Sequence, residues 1–203
     1  LRLYNQQQGS IAVGGRDIRE YPLAVLRDGI GYVPQDNFLF SASIKDNISF
    51  FKDIHTDEQV EKAARLSCVY DNIVGFPKGF DTVVGERGVN LSGGQKQRIS
   101  LARAIIKEPE LLILDDALSA VDTKTEEKVI SNFSEILKDK ASIIIAHRIS
   151  AVKHAEEIIV LERGEIIERG SHEELLAQEG AYYNIYQEQF KEEMRRRLED
   201  EEK

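Results

Sequence analysis

Three short apolar runs, each ending in polar side chains, constrain the fold of this chain most strongly. They span residues 30–35, 110–116 and 141–147. An apolar run this short is typical of a strand that is buried on both faces in a parallel sheet. Because open α/β sheets bind ligands beyond the carboxyl ends of their strands, the pattern predicts one shared site for the polar residues at these ends. Those residues are Gln35, Asp115, Asp116 and His147.

A Ser-Gly-Gly-Gln turn opens a predicted long helix. Its residues are Ser92, Gly93, Gly94 and Gln95. The first N–H groups of a helix have no internal partners and carry the positive end of the helix dipole. Paired glycines let an anion approach that backbone closely, so the turn indicates a phosphate site. Ser92 and Gln95 also form the capping box of ordinary helix starts, and simple capping is the alternative.

The rest of the sequence predicts an α/β fold with an inserted helical block. Short apolar strands alternate with helices on either side of this block, which is the pattern of a mostly parallel sheet. Within the block we expect four helices, at residues 43–49, 56–66, 69–75 and 92–106. We therefore predict a core at residues 1–36 and 108–190, a helical subdomain at 37–107, and a charged, solvated tail at 191–203.

Composition narrows the possible partners. The formal net charge of −9 argues against a nucleic-acid partner, because phosphate backbones select basic faces. The single cysteine, Cys68, cannot form an internal disulfide and fits a reducing cytosol. No apolar run approaches the ~18 residues of a membrane span, so any attachment to a membrane is expected to come from other sequence.

Taken together, these motifs resemble the nucleotide-binding domain of an ATP-binding cassette (ABC) transporter of the exporter type, from Leu1 to about Gln189. The family's glutamine loop matches Gln35, its signature matches residues 91–95, its Walker B strand 111–115, its D-loop 119–122, and its switch histidine His147. The resemblance implies a P-loop NTPase-like (RecA-like) fold, with ATP and Mg²⁺ as cofactors.

The resemblance also implies a role for each matched residue. Asp115 and Gln35 would hold Mg²⁺ through water, and Asp116 and His147 would be catalytic. ATP would be bound by Gln35, Ser92, Gly93, Gly94, Gln95 and Asp122.

Structural roles are the alternatives at four of these positions. Gln35 could simply end a strand, and Asp115 could cap the next turn. His147 could pair with Ser150. Asp122 could cap a helix that begins near Thr123, and we expect it to do so while also serving a dimer interface.

The chain departs from the family pattern in two ways. No Gly-x-x-x-x-Gly-Lys-[Ser/Thr] sequence, the Walker A loop that holds the phosphates of ATP, occurs in the 203 residues. We therefore expect that loop upstream of Leu1, and expect the 203 residues alone to be inactive. The second departure is Asp116, where the family usually has a glutamate. Aspartate shortens the reach by about 1.5 Å, one carbon–carbon bond, so this site is expected to hydrolyse ATP slowly.

The resemblance gives a specific functional expectation. The aspartate resembles the degenerate half of heterodimeric multidrug exporters, in which the signature of each cassette completes the partner's ATP site. We therefore expect a cassette that powers export of a multidrug or lipid-like substrate by nucleotide-driven dimerisation. The expected partners are a second cassette with an intact catalytic glutamate and the coupling helices of a transmembrane domain, touched by the X-loop at residues 84–88. No nucleic-acid partner is expected, and the expected location is the cytoplasmic face of the cell membrane.

Two other functions fit the same motifs. The first is a soluble, non-transport ABC ATPase of DNA repair or translation. The DNA-repair members carry a long coiled coil between the glutamine and signature motifs, whereas only a short helical block fits here. The second is a regulatory cassette that binds ATP and barely hydrolyses it, and Asp116 favours this alternative.

Overall fold

The computed structural model of the chain describes residues 1–85, 89–136, 138 and 140–201. These residues form two compact units, Leu1–Ile145 and Ala146–Lys203. The predicted lobe boundaries at residues 36 and 108 fall within the first unit and stay predictions.

The first unit contains a small hairpin, a parallel sheet and a group of helices. Its strands are β1 (Ala12–Val13), β2 (Arg16–Asp17), β3 (Ile30–Val33), β4 (Leu111–Asp115) and β5 (Ala141–Ile145). Its helices are α1 (Leu23–Asp28), α2 (Ile44–Ser49), α3 (Asp57–Leu66), α4 (Tyr70–Val74), α5 (Gly93–Ile105) and α6 (Thr123–Ile136). Two short 3-10 turns, Ile18–Glu20 and Gly79–Asp81, complete it.

The sheet of the first unit is parallel and has the order β3-β4-β5. Val33 pairs with Leu114, and Asp115 pairs with Ile145, so the carboxyl ends of the three strands lie at the same edge. The predicted α/β class and the mostly parallel sheet are therefore confirmed. β1 and β2 form a separate antiparallel hairpin.

The burial predicted for the third apolar run is wrong. Along β4, Leu112 and Leu114 are buried and the residues between them are half-buried. In β5, by contrast, Ile143 is 49% exposed and Ile145 is 51% exposed. β3 and β5 are both edge strands of the described sheet, but α1 and α5 pack against β3 and bury it, whereas the main neighbour of β5 in the described residues is β4.

The helices between the first two sheet strands begin and end within one residue of their predicted bounds. Side chains at three of the four helix starts of this block define the boundaries: Ser43 caps α2, Thr56 caps α3 and Ser92 caps α5. The helices pack through one large apolar cluster, in which Ile48, Ile73 and Leu101 have no solvent exposure. Burying each such side chain contributes about 1.5–3 kcal/mol.

The second unit is built on an antiparallel hairpin flanked by helices. Its elements are α7 (Ile149–Val152), β6 (Ile158–Glu162), β7 (Glu165–Gly170), α8 (His172–Ala177) and α9 (Ala181–Glu201). Ile149, Ile158, Leu175 and Tyr182 form its core. The carboxylate of Glu168 accepts hydrogen bonds from the first N–H groups of α9, which fixes where the predicted terminal helix begins. Among the described residues, no helix is both long and apolar enough to cross a bilayer.

Candidate functional site

The signature turn, residues 92–95, starts α5 with a complete capping box. The N–H of Gln95 donates to Ser92 Oγ at 3.2 Å, and the N–H of Ser92 donates to Gln95 Oε1 at 2.9 Å. The N–H groups of Gly93 and Gly94 precede the hydrogen-bond ladder of the helix itself. The first turn contains no acidic residue. The capping alternative is therefore real, and it leaves two backbone donors free of helix partners in a turn that carries no negative side chain.

The glycines of the signature turn are required by packing within this chain. A Cβ atom on Gly94 would lie 2.7 Å from the carbonyl oxygen of Ala120, and one on Gly93 would lie 3.2 Å from Ala120 Cβ. The first distance is shorter than real Cβ contacts, so even alanine would force backbone to move. The signature turn thus rests directly on the predicted D-loop, residues 119–122, which we call the D-loop segment.

A residue that the sequence analysis missed ties these two segments together. Gln97 is 5% exposed and lies one turn into α5. Its Nε2 donates to the carbonyl oxygen of Asp116 at 3.3 Å and to Ser119 Oγ at 3.0 Å. Its Oε1 accepts from the N–H of Ala120 at 2.9 Å. We call these three contacts the Gln97 clamp. The sequence carried no local signal for this role, because the partners of Gln97 lie 19 to 23 residues away and meet it only after α5 has packed.

The two acids at the end of β4 lie in different surroundings. Asp115 is half-buried, and the hydroxyl of Tyr32 on β3 donates to its Oδ2 at 3.3 Å. Burial and the nearby carboxylate raise the pKa of Tyr32, so this hydroxyl stays neutral and remains a donor. Asp116 has a backbone φ of +50°, a left-handed conformation that aspartate tolerates better than most residues. Its N–H donates to the carbonyl oxygen of Ile145 at 2.8 Å.

Gln35 follows β3 and is exposed. The segment that begins at Gln35 is held in place by hydrogen bonds from α5. The anchor is Arg103 on α5, which donates to the carbonyl oxygens of Asn47 and Phe38 at 2.7 and 2.9 Å and to Asn47 Oδ1 at 2.8 Å. Burial lowers the pKa of Arg103 to about 10, so the guanidinium stays charged at neutral pH. The role of this arginine was not predicted from the sequence either, because its partners lie 56 and 65 residues away.

Asp122 caps α6, as predicted. Its Oδ1 accepts from the N–H of Thr125 at 3.0 Å. Hydrogen bonds from Thr125 hold the pKa of the carboxyl below its usual range, so Asp122 is ionised at neutral pH. The side chain is exposed at the end of the D-loop segment, which leaves it accessible to a second molecule.

His147 belongs to the second unit and is exposed there. Its main-chain carbonyl accepts a hydrogen bond from Gln189 Nε2 at 2.7 Å, and Gln189 Oε1 accepts from the N–H of Ile149 at 2.9 Å. Gln189 of α9 therefore fixes the backbone that carries the histidine. Of the predicted X-loop, Val84 and Gly85 are described, and residues 86–88 lie outside the described residues.

Within the first unit, the structure brings three of the predicted features together. The signature turn, the backbone of Asp116 and the D-loop segment meet around Ala120 and the Gln97 clamp. Asp115 and Tyr32 lie at the same sheet edge. Among the described residues, no three His, Cys, Asp or Glu side chains cluster as a metal cage. One carboxylate with neighbouring oxygen donors suits Mg²⁺, which keeps several waters and is bound through few protein ligands.

Comparison with known proteins agrees with this arrangement. The family model described as ABC transporter matches residues 1–119. The chain is 50% identical, over 93% of its length and 32% of the relative's, to a probable multidrug resistance ABC transporter ATP-binding/permease protein, YheI, of Bacillus subtilis. It is 45% identical, over 91% of its length and 32% of the relative's, to a putative multidrug export ATP-binding/permease protein of Staphylococcus aureus.

A solved structure gives the same result in three dimensions. The structure of a bacterial Atm1-family ABC exporter with ATP bound superposes with a TM-score of 0.87 at 39% identity, over 93% of this chain and 33% of that one. The fold is thus that of an ATP-binding cassette. The chain belongs to the ABC transporter family, and it spans about a third of the length of the curated relatives it matches.

Proposed function

We propose that this chain is the ATP-binding and ATP-hydrolysing cassette of an ABC exporter, and that its nucleotide-driven dimerisation powers export. The observation that carries the proposal is the signature turn. Two backbone donors, a serine hydroxyl and the positive end of the α5 dipole face outward from a turn without acids. We propose a multidrug or lipid-like substrate, and the multidrug names of the relatives support the first of these.

The signature turn acts on the ATP held by a second cassette. The Ser92 hydroxyl and the N–H groups of Gly93 and Gly94 donate to its γ-phosphate, and Gln95 keeps the turn in shape through the capping box. The exposed carboxylate of Asp122 lies at the interface between the cassettes. Fixed donors of this kind stabilise the charge that develops as the phosphoryl group transfers.

The acids at the end of β4 act on this chain's own nucleotide. Asp115 and Gln35 hold Mg²⁺ through water, and Mg²⁺ supplies charge neutralisation at the phosphates when bound. Asp116 orients the attacking water, and His147 senses the γ-phosphate. Because aspartate is about 1.5 Å shorter than glutamate, this site turns over slowly. The second cassette is therefore a different chain with a glutamate at this position, and the assembly is a heterodimer.

A transmembrane domain is the other partner. Its coupling helices dock beside the glutamine loop, on an aromatic cluster that includes Phe38, Phe40, Phe50 and Phe51. Phe38 is 65% exposed, and Arg103 lies 5.6 Å from the ring centres of Phe40 and Phe50. Contiguous exposed aromatic surface of this kind marks protein interaction sites. The cassette accordingly lies at the cytoplasmic face of the cell membrane.

The regulatory cassette is the second candidate, and Asp116 is the observation that favours it. The test is phosphate release from Mg-ATP by the purified full-length protein with its partner, reconstituted in lipid, with the catalytic glutamate of the partner neutralised so that turnover reports on this chain's own site. We expect saturable turnover that chelation of Mg²⁺ abolishes. ATP binding without turnover would support the regulatory cassette, and no ATP binding at all would contradict both candidates.

A further inference from the structure

Both the nitrogen and the oxygen of the Gln97 side-chain amide form hydrogen bonds. Nε2 makes two donor contacts and Oε1 accepts one, so three of the four hydrogen bonds that a glutamine side chain can make are formed. The pattern fixes the orientation of the amide, because a flip would point NH₂ at the N–H of Ala120. A residue that donates and accepts at once is thus required here.

The Gln97 clamp holds a backbone that needs support. The carbonyl oxygen of Asp116 accepts from Gln97 Nε2 and also from Ser119 Oγ, the latter at 3.0 Å. This carbonyl belongs to the residue with φ +50°, a sparsely populated conformation that persists only where the surroundings hold it. The clamp therefore sets the peptide plane next to Asp116 and, with it, the direction in which that side chain leaves the strand.

The same clamp sets the spacing of the signature turn. Gln97 lies one turn beyond Gly93 on α5, and Gly94 already touches the carbonyl oxygen of Ala120. A hydrogen bond at Ala120 N–H and a glycine contact at Ala120 C=O hold opposite ends of one residue against the same helix. The signature turn and the D-loop segment are therefore held against each other through Ala120.

We propose that Gln97 is a positioning residue that couples the two nucleotide-facing surfaces of this chain. Through α5 it holds the signature turn, which serves the partner's ATP, and through Asp116 and Ala120 it holds the acid and D-loop that serve the chain's own ATP. This inference rests on the proposed function of the cassette. It adds a residue that itself touches neither nucleotide and links the two sites.

Two substitutions separate the parts of the clamp. Gln97→Met keeps the length of the side chain and removes both the donor and the acceptor. Gln97→Glu keeps an acceptor for the N–H of Ala120 and loses the donor to Asp116 and Ser119. The matched control is Ile99→Val, which deletes one buried methyl group from the same helix within the main apolar cluster.

The experiment measures phosphate release from Mg-ATP and thermal unfolding for the full-length protein with its partner. For Gln97→Met we expect kcat to fall roughly tenfold to a hundredfold, because a misplacement of ~1 Å costs up to ~100-fold, with the KM for ATP within about twofold. For Gln97→Glu we expect an intermediate fall in kcat. Ile99→Val should keep kcat within about twofold of wild type. Its midpoint of thermal unfolding should nevertheless drop, because a buried methyl group is lost.

Three results would overturn the proposal. The first is a kcat within twofold of wild type in both Gln97 variants. The second is a loss that appears in KM alone. The third is a loss of kcat in Ile99→Val that is as large as the loss in a Gln97 variant with the same midpoint of thermal unfolding. If Gln97→Met fails to fold, Gln97→Glu alone decides by the same criteria. An inactive wild-type protein would instead contradict the proposed function, so the two failures are distinguishable.

Discussion

Two helix starts in the first unit carry the same capping box in different surroundings. At α3 the N–H of Gln59 donates to Thr56 Oγ1 at 3.3 Å and the N–H of Thr56 donates to Gln59 Oε1 at 2.9 Å. At α5 the corresponding distances for Ser92 and Gln95 are 3.2 and 2.9 Å. The hydrogen bonds of the two caps are therefore equivalent, and the caps do not distinguish a phosphate site from an ordinary helix start.

The difference lies in what surrounds the first turn. The first turn of α3 carries Asp57 and Glu58, whose charges repel a phosphate. The first turn of α5 carries no acid, and its two glycines rest on Ala120. Local charge and backbone access, rather than the cap itself, thus define the candidate phosphate site. The start of α3 is therefore an internal control for the start of α5.

The largest expected effect is that of Ser92→Arg. The change removes the hydroxyl and places a bulky, misdirected cation at the helix start, so phosphate release by the full-length protein with its partner should fall more than a hundredfold. Thr56→Arg makes the same change at α3 and should leave turnover within about twofold. Equal losses in both variants would remove the distinction between the two helix starts.

A smaller loss is expected for Gly94→Ala, which tests the contact with Ala120. The added Cβ would lie 2.7 Å from a backbone oxygen, so the turn must shift, at a cost of about 1–3 kcal/mol in the free energy of unfolding. We expect about a tenfold loss of turnover and a lower midpoint of thermal unfolding. Gly93→Ala, with its 3.2 Å contact to a side-chain atom, should lose less of both. The reverse order would show that Ala120 does not set the position of the turn.

Asp116→Asn should have a still smaller effect. Because the proposed function assigns almost all of the turnover to the partner's glutamate, the loss should stay below about tenfold, or ~1.4 kcal/mol in the barrier. Asp116→Glu should restore the reach of the carboxylate towards the attacking water and add measurable ATP hydrolysis at this chain's own site. Both are read from steady-state phosphate release, with the partner's glutamate intact and then neutralised. A loss well beyond tenfold for the asparagine variant would identify Asp116 as a working catalytic base.

The smallest effect on turnover is expected for Thr56→Ala. Loss of this cap should cost about 1 kcal/mol of stability and leave phosphate release unchanged, because α3 serves only the packing of the helical block. Thermal unfolding and phosphate release measured on the same preparation check both parts. A substantial loss of turnover would link α3 to the chemistry.

The parts of the fold that depend on local signals could be predicted from the sequence. Caps and apolar runs placed α2 to α5 and the three sheet strands, because each signal lies within the element that it defines. The exposure of Ile143 and Ile145 could not be predicted in this way. An apolar run indicates a strand, and the elements that pack on the two faces of that strand decide how much of it is buried.

The residues of the candidate site fall into the same two groups: those marked by local sequence signals and those defined by contacts between distant parts of the chain. Ser92, Asp115 and Asp116 were identified from motifs of a few residues, and the cap formed by Asp122 was expected from the helix start that follows it. Tyr32 was missed because its partner Asp115 lies 83 residues away. Gln97 and Arg103 were missed for the same reason, since their contacts exist only after the helix has packed.

In the proposed function the turn at Ser92 faces the γ-phosphate, whereas the turn at Thr56 does not. The most direct test is to trap the full-length protein and its partner with Mg-ADP and orthovanadate, which takes the place of the γ-phosphate. The trapped complex is then irradiated with near-ultraviolet light, and the cleaved peptides are mapped by mass spectrometry. We predict vanadate-dependent cleavage at Ser92 and none at Thr56. A trapped complex that is not cleaved at Ser92, or is cleaved equally at Thr56, would contradict the account.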